Sequence, residues 1–168
     1  GAWLDANNDG LLDLFVVNYL AWDGSKEPEC EAAPGVLDYC HPKFYGGTPN
    51  QLFINNGDGT FRDASEESGV RAHVGKGMGV GVADYDLDGL PDIFVANDKL
   101  YNSFFRNKGA GKFEEIAFEA GVALARTVRV LVMLAAGQVV RRAPAMLRLP
   151  VPAKVEAPSK AAAPLPRS

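Results

Sequence analysis

The chain has 168 residues, of which 47% are hydrophobic and 23% charged, with a formal net charge of −4. Its length is sufficient to bury the core of an ordinary domain. The charge is unevenly distributed: residues 1–122 carry 9 basic and 20 acidic side chains, a net charge of −11, whereas residues 123–168 carry 8 basic side chains and one acidic one. An acidic body argues against nucleic acid, whose phosphates require Lys and Arg, and favours cations.

No stretch reaches the roughly 18 apolar residues that a transmembrane helix needs. The best candidate, residues 130–140, is too short and lies between Arg129 and Arg141. The chain begins with Gly1 rather than Met, inside a recognisable motif. The natural N-terminus and any signal peptide are therefore expected upstream.

Internal repetition is the most informative feature of the sequence. Residues 5–18 align with residues 84–97 at an offset of 79, and residues 50–61 align with residues 102–113 at an offset of 52. The segment 68–70 matches 120–122 at the second offset. The difference of 27 between the offsets predicts two copies of one unit, with an insertion at 19–49 in the first copy.

The local signals within each unit favour β-strands. Short apolar runs follow both acidic segments, and Gly-rich turns at 56–59 and 108–111 predict hairpins. Copy two is predicted to have strands at 78–83, 92–96, 103–106 and 113–118. Copy one shows the last three of these, so its first strand is expected before Gly1. Four antiparallel strands per repeat is the layout of a propeller blade, with blade one at about 1–70 and blade two at about 71–122.

The pattern stops after Val122. Residues 123–168 are rich in Ala, Pro, Val and Arg, without an aromatic residue or an Asp-Gly turn. The composition predicts an irregular or weakly helical tail that is disordered towards its end. Such a run replacing a repeat is also what a frameshift produces, and translation of the other reading frames would test that hypothesis.

Each copy begins with a loop whose carboxylates have the spacing of a calcium site. Calcium takes six to eight oxygen ligands, and loop positions 1, 3, 5, 7 (a backbone carbonyl) and 9 can supply them around a Gly at position 6. The predicted ligands in copy two are Asp84, Asp86, Asp88, the Leu90 carbonyl and Asp92. In copy one they are Asp5, Asn7, Asp9, the Leu11 carbonyl and Asp13. Copy two has four carboxylates and copy one three, so copy two is expected to bind calcium more tightly.

Three other interpretations fit the loops less well. Asp, Asn and Gly can simply form turns, but two aligned copies that each enter an apolar run argue against this. Magnesium prefers strict octahedral geometry and retains its waters, so calcium suits the loop better. EF-hand and dockerin-type modules continue as a helix, whereas position 12 is Val16 or Val95, in an apolar strand-forming run.

These features together resemble the FG-GAP/VCBS repeats of integrin-α-like β-propellers. The resemblance is to the bacterial group related to cartilage acidic protein, which is often associated with an ASPIC/UnbV domain. It is carried by residues 77–97, by both hairpins (50–61 and 102–113) and by the Gly-Val endings of the two copies. It implies an all-β fold, a partial β-propeller of about two four-stranded blades with calcium loops. It also implies export from the cytoplasm and a role in binding or adhesion.

The insertion holds the only two cysteines, Cys30 and Cys40. A disulfide would fit an oxidising compartment; two free thiols, or a metal site with His41, are the alternatives. Cys30, Cys40 and the residues around them also resemble the Cys-containing excursion of the same family. The aromatic residues of the insertion could form a ligand-binding face or, as we expect, cover a sheet edge. These are Trp22, Tyr39, Phe44 and Tyr45.

The sequence predicts a calcium-binding, non-catalytic protein that is extracellular, periplasmic or on the cell surface. Its expected partner is an unidentified protein or glycan, and no oligomer is inferred. The alternative from another class is part of a propeller-scaffold enzyme, a hydrolase or lyase whose catalytic residues lie elsewhere. A third possibility is that two blades alone have no function, because they leave sheet edges exposed.

Overall fold

The computed structural model describes residues 1–124. Residues 125–168, which contain nearly all of the predicted tail, lie outside the described residues. In residues 1–124 the chain is all-β, with short 3-10 helices at Gly24–Lys26, Pro42–Phe44 and Val70–Ala72. Each of these helices has three residues, so none of the helices in residues 1–124 has the length or hydrophobicity of a membrane-spanning helix.

Thirteen strands form within residues 1–124. They are β1 (Ala2–Leu4), β2 (Asp13–Val16), β3 (Leu20–Ala21), β4 (Cys30–Ala33), β5 (Val36–Asp38), β6 (Gly46–Pro49), β7 (Gln51–Asn55), β8 (Phe61–Asp63), β9 (Val74–Gly75), β10 (Gly77–Ala83), β11 (Asp92–Asn97), β12 (Ser103–Asn107) and β13 (Phe113–Glu115).

The two repeats form two four-stranded antiparallel sheets of the same design. Blade one has the order β1-β2-β7-β8 and blade two the order β10-β11-β12-β13. In each blade the acidic loop joins the first strand to the second, and the Gly-rich turn joins the third to the fourth. The predicted fold class, an all-β partial propeller, is confirmed.

Two predicted strand positions were wrong. The first strand of blade one does not lie before Gly1: it is β1, whose Leu4 pairs with Asp13 and whose Ala2 pairs with Phe15. Three residues ahead of the first loop are too few to show a strand period. The predicted strand 113–118 ends at Glu115, because the Ala120 N–H donates to the Ile116 carbonyl (2.8 Å) and turns the chain.

The main hydrophobic core lies between the two blades. Phe15 and Leu52 of blade one pack with Ile93 and Phe105 of blade two, and all four side chains are almost completely buried. Their alternation along the strands follows the two-residue period of a sheet with one face in the core. A smaller core covers the other face of blade two, where Phe94 and Phe104 pack beneath the segment 116–123.

The insertion folds against the same end of both blades. Strand β6 pairs with β3 and with β9, and β4 pairs with β5 in a separate hairpin. The Lys76 ammonium donates to the Pro42 carbonyl (2.8 Å). Lys99 Nζ lies 3.1 Å from His41 Nε2. The insertion therefore contacts blade two as well as the blade that contains it.

The expectation that the aromatic residues of the insertion cover a sheet edge was wrong for three of the four. Trp22, Tyr39 and Phe44 are 70%, 98% and 57% exposed. Only Tyr45 is half-buried, with its hydroxyl donating to Glu27. The contact of β6 with the neighbouring strands is instead made by backbone pairing with β3 and β9.

Candidate functional site: two acidic loops

The second loop brings three of its predicted ligands together. One carboxylate oxygen from each of Asp84, Asp86 and Asp88 lies within 4.8 Å of the others. Calcium–oxygen distances are about 2.3–2.6 Å, so two ligands of one ion can be at most roughly twice that far apart. The hard oxygen donors and their spacing therefore fit a calcium ion.

The same loop is shaped by hydrogen bonds from its own backbone. The Asp84 carboxylate accepts the N–H groups of Asp88 (3.1 Å) and Gly89 (2.9 Å), and Asp88 accepts the Leu90 N–H (2.9 Å). Gly89 has φ +89°, a conformation that favours glycine. The turn therefore depends on two of the predicted ligand residues, Asp84 and Asp88.

The first loop repeats this geometry. Asp5 accepts the N–H groups of Asp9 (3.0 Å) and Gly10 (2.8 Å), and Asp9 accepts the Leu11 N–H (2.8 Å). Asn8 and its counterpart Leu87 both have positive φ, 63° and 60°. The two loops thus have one backbone conformation, as the sequence repeat predicts.

The loops differ at position 3. In loop one the Asn7 amide donates to the Asp9 carboxylate (2.8 Å). In loop two the corresponding residues are Asp86 and Asp88, two carboxylates that repel each other when both are ionised. The Asn7 amide therefore offsets part of the negative charge of loop one, whereas loop two has a second carboxylate at that position.

The position 9 carboxylates accept hydrogen bonds from backbone N–H groups in this structure. Asp92 is buried, and its two oxygens accept the N–H groups of Tyr85 (2.9 Å) and Asn107 (2.8 Å). Asp13 does the same for Ala6 and Asn55, both at 2.8 Å. These two carboxylates, and the Leu11 and Leu90 carbonyls, stay predicted ligands. A carboxylate that accepts two hydrogen bonds still has free lone pairs for a metal.

Burial shifts the acidity of both position 9 residues. It raises the pKa of Asp92 to about 6, against the two backbone hydrogen bonds that lower it, and the nearby charges of Asp86 and Asp88 raise it further. The pKa of Asp13 is raised by the same main cause, with Asp9 and Asp5 contributing. A cation in either loop would oppose these shifts by favouring the ionised carboxylate.

Sequence reasoning missed two asparagines that tie the loops to the hairpins. Besides the backbone bonds from Asn55 and Asn107 to the position 9 carboxylates, the Asn55 side chain donates to the Leu12 carbonyl (3.1 Å) and the Asn107 side chain to the Pro91 carbonyl (3.2 Å). Asn55 and Asn107 occupy the same position in the two repeat copies, and this recurrence was the sequence signal that could have identified them.

The two cysteines form a disulfide between Cys30 and Cys40, with Cα atoms 5.2 Å apart. The alternatives of free thiols and of a cysteine metal site are therefore wrong. His41 caps the 3-10 helix that follows it, accepting the Lys43 N–H at 3.1 Å. His73 lies edge-on to Phe105, with ring centroids 5.7 Å apart.

Comparison with known proteins supports the repeat. Residues 5–95 match the profile of the FG-GAP-like repeat family. The chain is 49% identical to human cartilage acidic protein 1 over 73 residues and 45% identical to the mouse protein over 73 residues. Identity to the Xenopus tropicalis protein is 39% over 72 residues.

In each case the match covers 41% of this chain and 11% of the relative. The chain therefore spans only a small part of the curated relatives it matches. The family profile, by contrast, covers more than half of the chain and includes both acidic loops. The chain belongs to the FG-GAP-like repeat family.

Proposed function

We propose that the chain is a pair of calcium-binding propeller blades from an exported, non-catalytic binding protein. The observation that carries the calcium assignment is the carboxylate cluster Asp84, Asp86 and Asp88, whose oxygens lie within 4.8 Å of one another. The matching hydrogen-bond pattern in loop one extends the assignment to Asp5, Asn7 and Asp9.

The carboxylates of each loop would hold the ion and relieve their mutual repulsion. Bound calcium supplies positive charge at the connection between the first and second strands of a blade. Asp84 and Asp88 fix the turn through backbone N–H groups, and Asp92 fixes the hairpin of the same blade. The proposed role of the ion is therefore structural, with the recognition surface elsewhere.

The faces of the blades support membership of a larger propeller. On blade two, Ile93, Phe105 and Phe113 pack against blade one. The corresponding residues of blade one are Leu14, Phe53 and Phe61, and Phe61 is 41% exposed beside Trp3, which is 57% exposed. A further blade of the same kind would cover this face in the way that blade one covers blade two.

Location outside the cytoplasm is supported by the disulfide, because disulfides persist in oxidising compartments. Residues 1–122 have a net charge of −11, which favours association with calcium ions over association with nucleic acid. The absence of catalysis is part of the proposal. It is supported by the structural contacts of both histidines, His41 at a helix cap and His73 against Phe105.

We place ligand recognition on the insertion. Trp22 and Tyr39 expose most of their rings to solvent, and the disulfide fixes the hairpin between them. Exposed aromatic residues on a rigid loop are suited to a protein or glycan partner, because they bury a large area with little loss of side-chain entropy.

Thermal unfolding with and without calcium tests the proposed metal function. We expect millimolar calcium to raise the Tm, chelator to reverse the rise, and magnesium to have a much smaller effect. Asp86→Ala should remove most of the gain from loop two. Glu119→Ala, which deletes an exposed acid outside both loops, is the charge-matched control and should keep the full gain. Equal melting temperatures in calcium and chelator would contradict the proposal.

A further inference from the structure

One buried side chain joins the two acidic loops across the blade interface. Asn107 of blade two donates from its side-chain nitrogen to the carbonyl of Ala6 in loop one (3.0 Å). Its backbone N–H donates to the Asp92 carboxylate of loop two (2.8 Å). Asn107 and Ala6 are 1% and 0% exposed, so water does not compete for these bonds.

On the loop one side, this contact holds the peptide between two predicted ligands. Ala6 lies between Asp5 and Asn7, and its own N–H donates to Asp13 (2.8 Å). Both polar groups of Ala6 therefore have buried partners, one in its own blade and one in blade two. The orientation of Asp5 and Asn7 depends on how firmly this residue is held.

On the loop two side, the anchor is the position 9 carboxylate. Asp92 bonds both Tyr85, which lies between Asp84 and Asp86, and Asn107. Without a bound cation, the ionised carboxylates of loop two repel one another. This repulsion loosens the segment that Asp92 holds. Asn107 would transmit that loosening to Ala6, 101 residues away in sequence.

Blade one contains a matched side chain without this contact between blades. Asn55 bonds Asp13 through its backbone N–H and the Leu12 carbonyl through its side chain. Its Oδ1 accepts the Gly57 N–H (2.9 Å), as the Oδ1 of Asn107 accepts the Gly109 N–H (2.9 Å). In their hydrogen bonds within residues 1–124 the two asparagines thus differ in one respect, the bond of Asn107 to the other blade. Asn55 is also less buried than Asn107.

We propose that Asn107 is a positioning residue that couples the two calcium loops, so that an occupied loop two raises the calcium affinity of loop one. The proposal rests on calcium binding as the function of the loops. The effect is reciprocal, because coupling between two equilibrium binding sites has the same size in both directions. Calcium would then stabilise the two blades together.

Calcium titration calorimetry on the full chain tests the coupling. Asp86→Ala disables loop two, and the Asp86 carboxylate is exposed and accepts no hydrogen bond in the described part of the chain. The calcium affinity of loop one is then measured twice. Loop two is loaded in the unsubstituted chain and empty in D86A. We expect an affinity about fivefold higher in the first case, at the low end of typical coupling.

The same pair of measurements is repeated with Asn107→Ala and with Asn55→Ala. N107A should abolish the fivefold difference, because its backbone N–H to Asp92 remains but the bond to Ala6 is lost. N55A should retain the difference. Any long-range charge effect of D86A is the same in all three backgrounds. It therefore cancels when the affinity difference in N107A or N55A is compared with the difference in the chain without either substitution. Circular dichroism checks folding, and Asn107→Ser, too short to reach Ala6, replaces N107A if that variant unfolds.

The outcomes separate the inference from the function on which it rests. Calcium binding at both loops with no difference in the unsubstituted chain, or with the same difference in N107A, overturns the coupling and leaves calcium binding intact. Loss of the difference in N55A as well overturns the assignment to Asn107. Absence of any calcium binding by the unsubstituted chain overturns both.

Discussion

The backbone N–H of Asn18 donates to Oδ1 of Asn50 (3.2 Å), across the base of the 31-residue insertion 19–49. In blade two, the Asn97 N–H donates to Asn102 in the same way (3.1 Å), across a turn of four residues, 98–101. The side chains of Asn18 and Asn97 also donate to matching carbonyls, those of Pro49 (2.9 Å) and Tyr101 (2.7 Å). A long insertion and a short turn are thus closed by the same bonds.

This relationship predicts that the insertion can be exchanged for the short turn. A chain in which 19–49 is replaced by the sequence of 98–101 should retain cooperative unfolding and calcium stabilisation. It should lose about 1–2 kcal/mol, because hydrogen bonds from the insertion to blade two, such as Tyr19 to Asp98 (3.0 Å), are removed. Urea unfolding in calcium measures the change. Loss of the folded state would show that the insertion is required for blade one.

The elements that were predictable from sequence are those encoded locally. The acidic loops and hairpin turns combine Asp or Asn with glycines at positive φ, such as Gly10 and Gly57, and each lies within a dozen residues. Strand β1 was missed because three residues give no periodic pattern. The bond from Asn107 to Ala6 was missed because its partners are 101 residues apart and one of them is a backbone carbonyl. The burial of Asp13 and Asp92 likewise depends on tertiary packing, which composition does not reveal.

Replacing Asn7 by Asp should convert loop one into a stronger calcium site. The change adds a fourth carboxylate, and it replaces the amide that donates to Asp9 with a group that repels it. We expect about tenfold tighter calcium binding at loop one, together with a lower Tm in metal-free buffer. Calorimetry and thermal melts measure the two effects.

The reverse change, Asp86→Asn in loop two, is the matched control for this substitution. It should weaken calcium binding at loop two by a similar factor and leave the metal-free chain no less stable. Unchanged affinity at loop one in N7D would argue that position 3 does not bind the ion.

Asp92→Asn should destabilise the metal-free protein. Asp92 accepts one backbone N–H on each oxygen, and an Asn amide has only one acceptor, so its NH₂ group must face a second donor. The expected loss is about 1–2 kcal/mol in the free energy of unfolding, measured with urea in metal-free buffer at pH 5, where Asp92 is largely protonated and both of its oxygens can still accept. Asp86→Asn, at an exposed site, should cost almost nothing under the same conditions. Equal stability of D92N and the unsubstituted chain would mean that Asp92 acts only as a ligand.

The raised pKa of Asp92, about 6 in the metal-free fold against 3.8 ordinarily, predicts an unusual pH dependence. Between these values the native state binds more protons than the unfolded state, so stability falls as pH rises from about 4 to about 6. The contribution is about 3 kcal/mol at most. Metal-free protein should therefore melt at a higher temperature at pH 5 than at pH 7, and D92N should lose most of that difference.

With saturating calcium the order should be reversed, because the ion binds the ionised carboxylates and competes with protons. The carboxyls whose pKa is lowered in this fold, such as Asp63 and Glu114, lose their stabilising effect only as pH falls below their ordinary values. They do not account for a change between pH 5 and 7. A metal-free Tm that rises steadily from pH 5 to 7 would contradict the assignment to Asp92.

The stoichiometry of calcium binding tests the central claim most directly. Calorimetric titration of the full chain should give two calcium ions per chain. Asp86→Ala should reduce the number to one, and the double variant Asp9→Ala, Asp86→Ala should reduce it to none. Binding that persists in the double variant, or an unsubstituted chain that takes up no calcium at millimolar concentration, would contradict the account.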